Sequence, residues 1–159
     1  MKTQKILVLV FLTLISLMSA NARAVHEVVK DDLLITRAMI AANRTQIVLN
    51  TLELTDEKIK AFSPMYLDYW EEMNLINDRL ATLILDYADN FENLTDEKAL
   101  LMLDESLDIQ EKKIALKKKF VSKFKSVLTP KKLVQYYQTE NKLDAIIMME
   151  LAAGVPLVK

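Results

Sequence analysis

The chain reads as an all-α protein of four helices, and three observations predict this. Only one glycine, Gly154, and three prolines occur in 159 residues, so the turn residues that every β-hairpin needs are missing. The run Leu54-Thr55-Asp56-Glu57-Lys58 recurs as Leu94-Thr95-Asp96-Glu97-Lys98, and Leu128-Thr129-Pro130-Lys131-Lys132 is a looser third copy. Between Ile59 and Tyr87, apolar residues recur at alternating steps of three and four, the period of a helix packed along a partner.

The N-terminus comes first. Lys2 and Lys5 precede an unbroken run of apolar residues, Thr and Ser from Ile6 to Met18, followed by Ser19-Ala20-Asn21-Ala22-Arg23-Ala24. This is the layout of a secretory signal peptide, predicted over 1–24. Two overlapping A-x-A sites end at Ala22 and Ala24, so the mature chain is expected to start at Val25, with Arg23 as the alternative. The apolar run falls short of the roughly 20 residues that cross a bilayer, so no integral membrane segment is expected after cleavage. Residues 25–159 then form a single helical domain. Its Lys and Arg total 18 against 22 Asp and Glu, a net charge of −4. That balance does not suit a nucleic-acid binder. Without cysteine there is neither a disulfide scaffold nor a lipid-modified Cys at the cleavage site.

The LTDEK copies are helix starts. Thr55, Thr95 and Thr129 suit the N-cap, where a hydroxyl accepts an orphan backbone N–H. The leucine before each cap suits a hydrophobic staple to Ile59, Ala99 or Leu133. Acidic residues in the first turn complement the helix dipole, and Pro130 stands where proline is tolerated best. These starts place helices at about 28–51, 56–91, 96–127 and 130–153, with Gly154 and Pro156 ending the last. Helix 2 spans about 54 Å. Its seam is Ile59, Phe62, Tyr66, Tyr69, Met73, Ile76, Leu80, Leu83 and Tyr87, and Pro64 is expected to kink it.

Helix 3 carries two apolar stripes. Leu100, Leu103, Leu107, Ile114, Val121, Phe124 and Leu128 continue the seam of helix 2, and Met102, Ile109, Leu116, Phe120 and Val127 form the second. The short 92–95 connection folds helices 2 and 3 into a long antiparallel hairpin, flanked by helices 1 and 4. Charge supports this. Seven acids and only Arg79 lie between Asp68 and Glu92, whereas Lys112 to Lys132 holds nine lysines and no acid. Folding near residue 94 sets Asp68, Glu71 and Glu72 beside Lys117, Lys118 and Lys119.

No catalytic centre is legible, so the chain is not expected to be an enzyme. There is no Cys nucleophile, no G-x-S-x-G elbow and no glycine loop for phosphate. Carboxylates such as Asp104 and Asp108 fit a solvated helix face. For metal, the mature chain offers only His26, and Met39, Met65, Met73, Met102, Met148 and Met149 are scattered. No cofactor is expected. Candidate partner-binding residues are Leu67, Leu75 and Leu85, which lie off the helix 2 seam, the stripe Met102, Ile109 and Leu116, and Lys117 and Lys118 in the basic run.

The LT-starting repeats, the long hairpin and the export signal together resemble the LTxxQ-motif family of periplasmic helical proteins, the Spy/CpxP-like group, over residues 50–135. Lys58, Lys98 and Lys132 stand where that motif has Gln, so no capping box closes there. The tail from Gln138 to Val158 resembles the ending of uncharacterised secreted proteins of this kind. The resemblance implies a periplasmic, chaperone-like or envelope-stress protein that binds unfolded or envelope proteins without ATP, as a homodimer of bent hairpins. Relatives in the broader group imply the alternative, a heavy-metal-responsive binding or sensing protein.

Overall fold

The computed structural model describes Ile35 and residues 43–157. The predicted signal peptide, His26, Met39 and the predicted start of helix 1 lie outside the described residues. Four helices follow one another: α1 over 43–52, α2 over Asp56–Asn90, α3 over Asp96–Phe124 and α4 over Pro130–Gly154, with a 3-10 turn at Phe91–Asn93. The described residues contain no strand. α2 and α3 form the predicted antiparallel hairpin and make the closest helix–helix contact.

Local chemistry sets the boundaries. Thr95 and Thr129 accept hydrogen bonds from the backbone N–H groups of Lys98, at 3.2 Å, and Lys132, at 3.4 Å. Thr55 occupies the N-cap of α2 with the extended backbone expected there, but its hydroxyl makes no capping bond. The first turn of α2 relies instead on Asp56 and Glu57 against the helix dipole. α2 continues without interruption through Pro64. α3 ends at Phe124, three residues earlier than the sequence suggests, and a tight turn reaches Leu128, whose N–H donates to the Phe124 carbonyl at 2.8 Å. Gly154 does not cap α4 from outside, since it is the last helical residue. The chain leaves the helix at Val155, whose ψ of 116° is the extended conformation imposed on a residue before proline. The left-handed position belongs to Glu53, which closes α1 at φ 44°.

The core gathers at one end of the hairpin. Phe62, Tyr66, Tyr69 and Met73 of α2 meet Leu116, Phe120 and Phe124 of α3, Leu133 and Tyr136 of α4, and Val48 and Leu52 of α1. Phe62, Phe124 and Tyr136 have centroids 4.9–5.8 Å apart, within the range where tilted and edge-on rings attract. Beyond Met73 the seam of α2 continues as Ile76, Leu80, Leu83 and Tyr87, all half-buried. The C-terminal end of α4 reaches this far half, where the Tyr87 hydroxyl donates to the Pro156 carbonyl at 2.7 Å.

Candidate interaction surface

From Leu100 to Ile114, α3 exposes the stripe that the sequence pattern sets along α2, whereas Phe124 and Leu128 at the end of that stripe are buried as expected. Met102, Ile109, Leu116, Phe120 and Phe124 are its buried face. Leu100, Leu103, Leu107 and Ile114 are each more than half exposed, at 63, 54, 54 and 54%. They recur at steps of three, four and seven and form a ridge on the side of α3 away from its core face. Leu101 adds to the exposed apolar area at 61%. Met102, Ile109 and Leu116 are therefore corrected from candidate partner contacts to core. The reason is geometric: large rings at Phe120 and Phe124 need the interior, and their face carries the other three with it.

The remaining candidates divide. Leu67 and Leu75 on α2 are exposed, at 58 and 70%, while Leu85 is half-buried. Lys118 is exposed, but Lys117 is engaged with α4. Its ammonium reaches Asn141 at 3.1 Å and Asp144 at 3.4 Å, and its carbonyl accepts from the Tyr137 hydroxyl at 2.8 Å. Of the three acids expected beside the lysine run, Glu72 meets Lys119 at 2.6 Å. Further along the hairpin, Arg79 forks onto Glu105 and Asp108, and Lys98 holds Asp86. Arg79 and Asp108 are thereby held in their charged forms: hydrogen bonds donated to Glu105 and Asp108 raise the guanidinium further, and hydrogen bonds from Lys112 and Arg79 lower the Asp108 carboxyl. An open groove of about 440 Å³ runs along this ladder over a floor of Leu83 and Met102.

One polar cluster is absent from the sequence reading. Arg44 of α1 donates to Glu140 at 3.0 and 2.6 Å and to Asp144 at 2.6 Å, and its guanidinium lies 4.0 Å over the Trp70 ring. Tyr66 donates to the other Glu140 oxygen at 3.0 Å. Arg44 and Glu140 are both buried. Burial pushes the Glu140 carboxyl above the usual carboxylate range, against the pull of Arg44. Burial also opposes charge on Arg44, and Glu140 and Asp144 more than offset it. Three donated hydrogen bonds, two from Arg44 and one from Tyr66, converge on the Glu140 carboxylate. The only hint in sequence is the matched spacing of Arg44, Val48 and Leu52 on α1 and Tyr136, Glu140 and Asp144 on α4, each at steps of four. Arg44 and Glu140 are buried between α1 and α4, so the pair orients α1 on the bundle.

Among the described residues, no three His, Cys, Asp or Glu side chains gather as a metal-holding group. No described helix is long and apolar enough to cross a membrane. Comparison with family models, with curated proteins and with solved structures finds no match to this chain.

Proposed function

We propose that this chain is an exported, periplasmic interaction protein. It binds unfolding or envelope proteins through helical apolar surface, without ATP, and works as a homodimer. The observation that supports this reading is the two-faced α3. A helix that already buries Met102, Ile109, Leu116, Phe120 and Phe124 keeps a second ridge of four large aliphatic residues in solvent. Exposed apolar rows of this length mark contact surfaces in soluble proteins. An apolar ridge holds exposed side chains with little sequence choice, and nearby lysines such as Lys118 speed encounter with acidic partners. The resemblance to the LTxxQ group supports the same reading.

The test is suppression of aggregation. The mature chain, at up to equimolar amount, should slow light scattering from a denatured enzyme in the absence of nucleotide. Multi-angle scattering should report twice the monomer mass. Leu103→Ser with Leu107→Ser should weaken both effects while leaving the circular dichroism unchanged. A monomer that does not affect aggregation at tenfold excess refutes the proposal.

A further inference from the structure

We propose that the core end of the bundle is an electrostatic foot that docks on anionic bilayer headgroups. The topology brings three chain segments to that end. Phe62, Phe124 and Tyr136 meet there, and seven lysines lie within five residues of one of these rings; Lys119 pairs with Glu72, and the other six are Lys58, Lys60, Lys123, Lys125, Lys131 and Lys132. All but the half-buried Lys132 are exposed. Among the described residues none of the six is ion-paired, and Lys123 only covers the Phe120 ring at 4.4 Å. From Lys112 to Thr139 the chain has no acid, so the α3–α4 side of this end carries cations alone. The exposed acids near the end are Glu53, which closes α1, and Asp56 and Glu57 at the start of α2. The opposite end, about 50 Å away along α2, holds Asp86, Asp89, Glu92, Asp96 and Glu97 against Lys98.

Residue type selects the partner. Every cation in the foot is lysine, whereas Arg44 and Arg79 are spent in ion pairs inside the structure. Lysine is a flexible point charge without the fork that reads a single carboxylate or phosphate. A blunt array of such charges suits many headgroups at once, as juxtamembrane lysines do. An acidic peptide would need the geometric match that arginine supplies. The acidic far end is repelled by the same surface. The hairpin therefore stands end-on, with the α3 ridge pointing along the membrane plane and open to other proteins.

Sedimentation with vesicles tests this on the full mature chain. Vesicles of 30% phosphatidylglycerol in phosphatidylcholine should bind it at 50 mM salt and release it at 0.5 M salt, and pure phosphatidylcholine vesicles should not bind. Each lysine near an anionic surface contributes about fivefold. Lys125→Gln, Lys131→Gln and Lys132→Gln together should lower partitioning at least tenfold, with helicity retained. Lys112→Gln, away from the foot, should leave it unchanged. Absence of binding to anionic vesicles, equal binding to neutral ones, or a triple variant that binds like the parent would each overturn the proposal. Binding to soluble polyglutamate but not to vesicles would overturn it in favour of an acidic protein partner. Aggregation suppression is measured separately, so failure here leaves that reading intact.

Discussion

The two halves of the α2–α3 hairpin are built from the same residue classes and do different work. In the near half, four helices converge on aromatic rings, and Phe62, Phe120, Phe124 and Tyr136 have no exposed surface. In the far half, from Ile76 to Leu107, most apolar side chains of α2 are half-buried, α3 turns leucines outward, and ion pairs lace the groove between the helices. Side-chain size makes the difference. Large rings reach from α2 and α3 to α4 and close the interior, whereas in the far half the rings are only Tyr87 and Phe91 near the tip, and smaller aliphatic side chains fill the rest of the seam. Stability is thus concentrated at one end and exposed contact surface at the other.

The sharpest way to break this comparison is to truncate one ring. Phe124→Ala should cost about 3–5 kcal/mol and lower the thermal midpoint severely, because the cavity opens among four other rings. Leu83→Ala, at a half-buried position in the far half, should cost about 1 kcal/mol, since only part of its surface leaves water on folding. Equal losses in calorimetric unfolding would refute the division.

The Arg44 cluster should give the next largest effect. Arg44→Ala leaves Glu140 buried without its counter-ion and should cost about 3–5 kcal/mol. Arg44→Met with Glu140→Leu should recover most of that loss, because an apolar pair leaves no buried charge. Trp70 is the only tryptophan, so its emission reports directly whether α1 still covers the ring. Similar losses for the single and double variants would show that the pair contributes more than its desolvation costs.

All of the hairpin, and the starts of α2, α3 and α4 to the residue, were legible in sequence, because caps and periodicity are local signals. The choice between the two stripes of α3 was not. Leucine and methionine score alike in any pattern, and only the position of Phe120 among the smaller residues marks the inner face. The Arg44–Glu140 pair joins residues 96 apart, beyond the reach of periodicity. The Thr55 cap failed for a related reason: its backbone is correct, yet hydroxyl orientation depends on neighbours that a five-residue motif does not contain.

Alkaline titration gives a smaller, graded contrast. All five tyrosines are raised above their ordinary value by burial; for Tyr66, Tyr69, Tyr136 and Tyr137 the Glu140 charge adds to it, and Tyr137 is pushed up to about 12. A tyrosine whose folded value is raised keeps its proton when the unfolded chain has lost it. Its contribution is complete below pH 10 and is lost as the pH rises above that value. Absorbance at the phenolate band should therefore stay low past pH 10 and then rise together with the loss of helicity. A smooth rise near pH 10 with helicity intact would place the phenols in water and refute the packed near half.

The smallest expected effect tests how tightly the near half is tied to α1. Glu53 closes α1 at φ 44°, a left-handed conformation that costs a residue with a Cβ about 1 kcal/mol. The chain accepts this because Val48 and Leu52 must enter the core while Thr55 already begins α2. Glu53→Gly removes the local cost but widens the freedom of the unfolded chain by a comparable amount, about 0.5–1 kcal/mol. The net gain should lie between zero and about 0.5 kcal/mol, seen as a slight rise in the thermal midpoint. Glu53→Val, whose branched side chain resists that region more strongly, should instead lose more than 1 kcal/mol and loosen the Arg44 contact, shifting Trp70 emission to the red. If both variants behave like the parent, residues 53–55 relax freely and α1 is held by its side chains alone. If glycine stabilises and valine loosens, the turn at Glu53 itself aims Arg44 at Glu140.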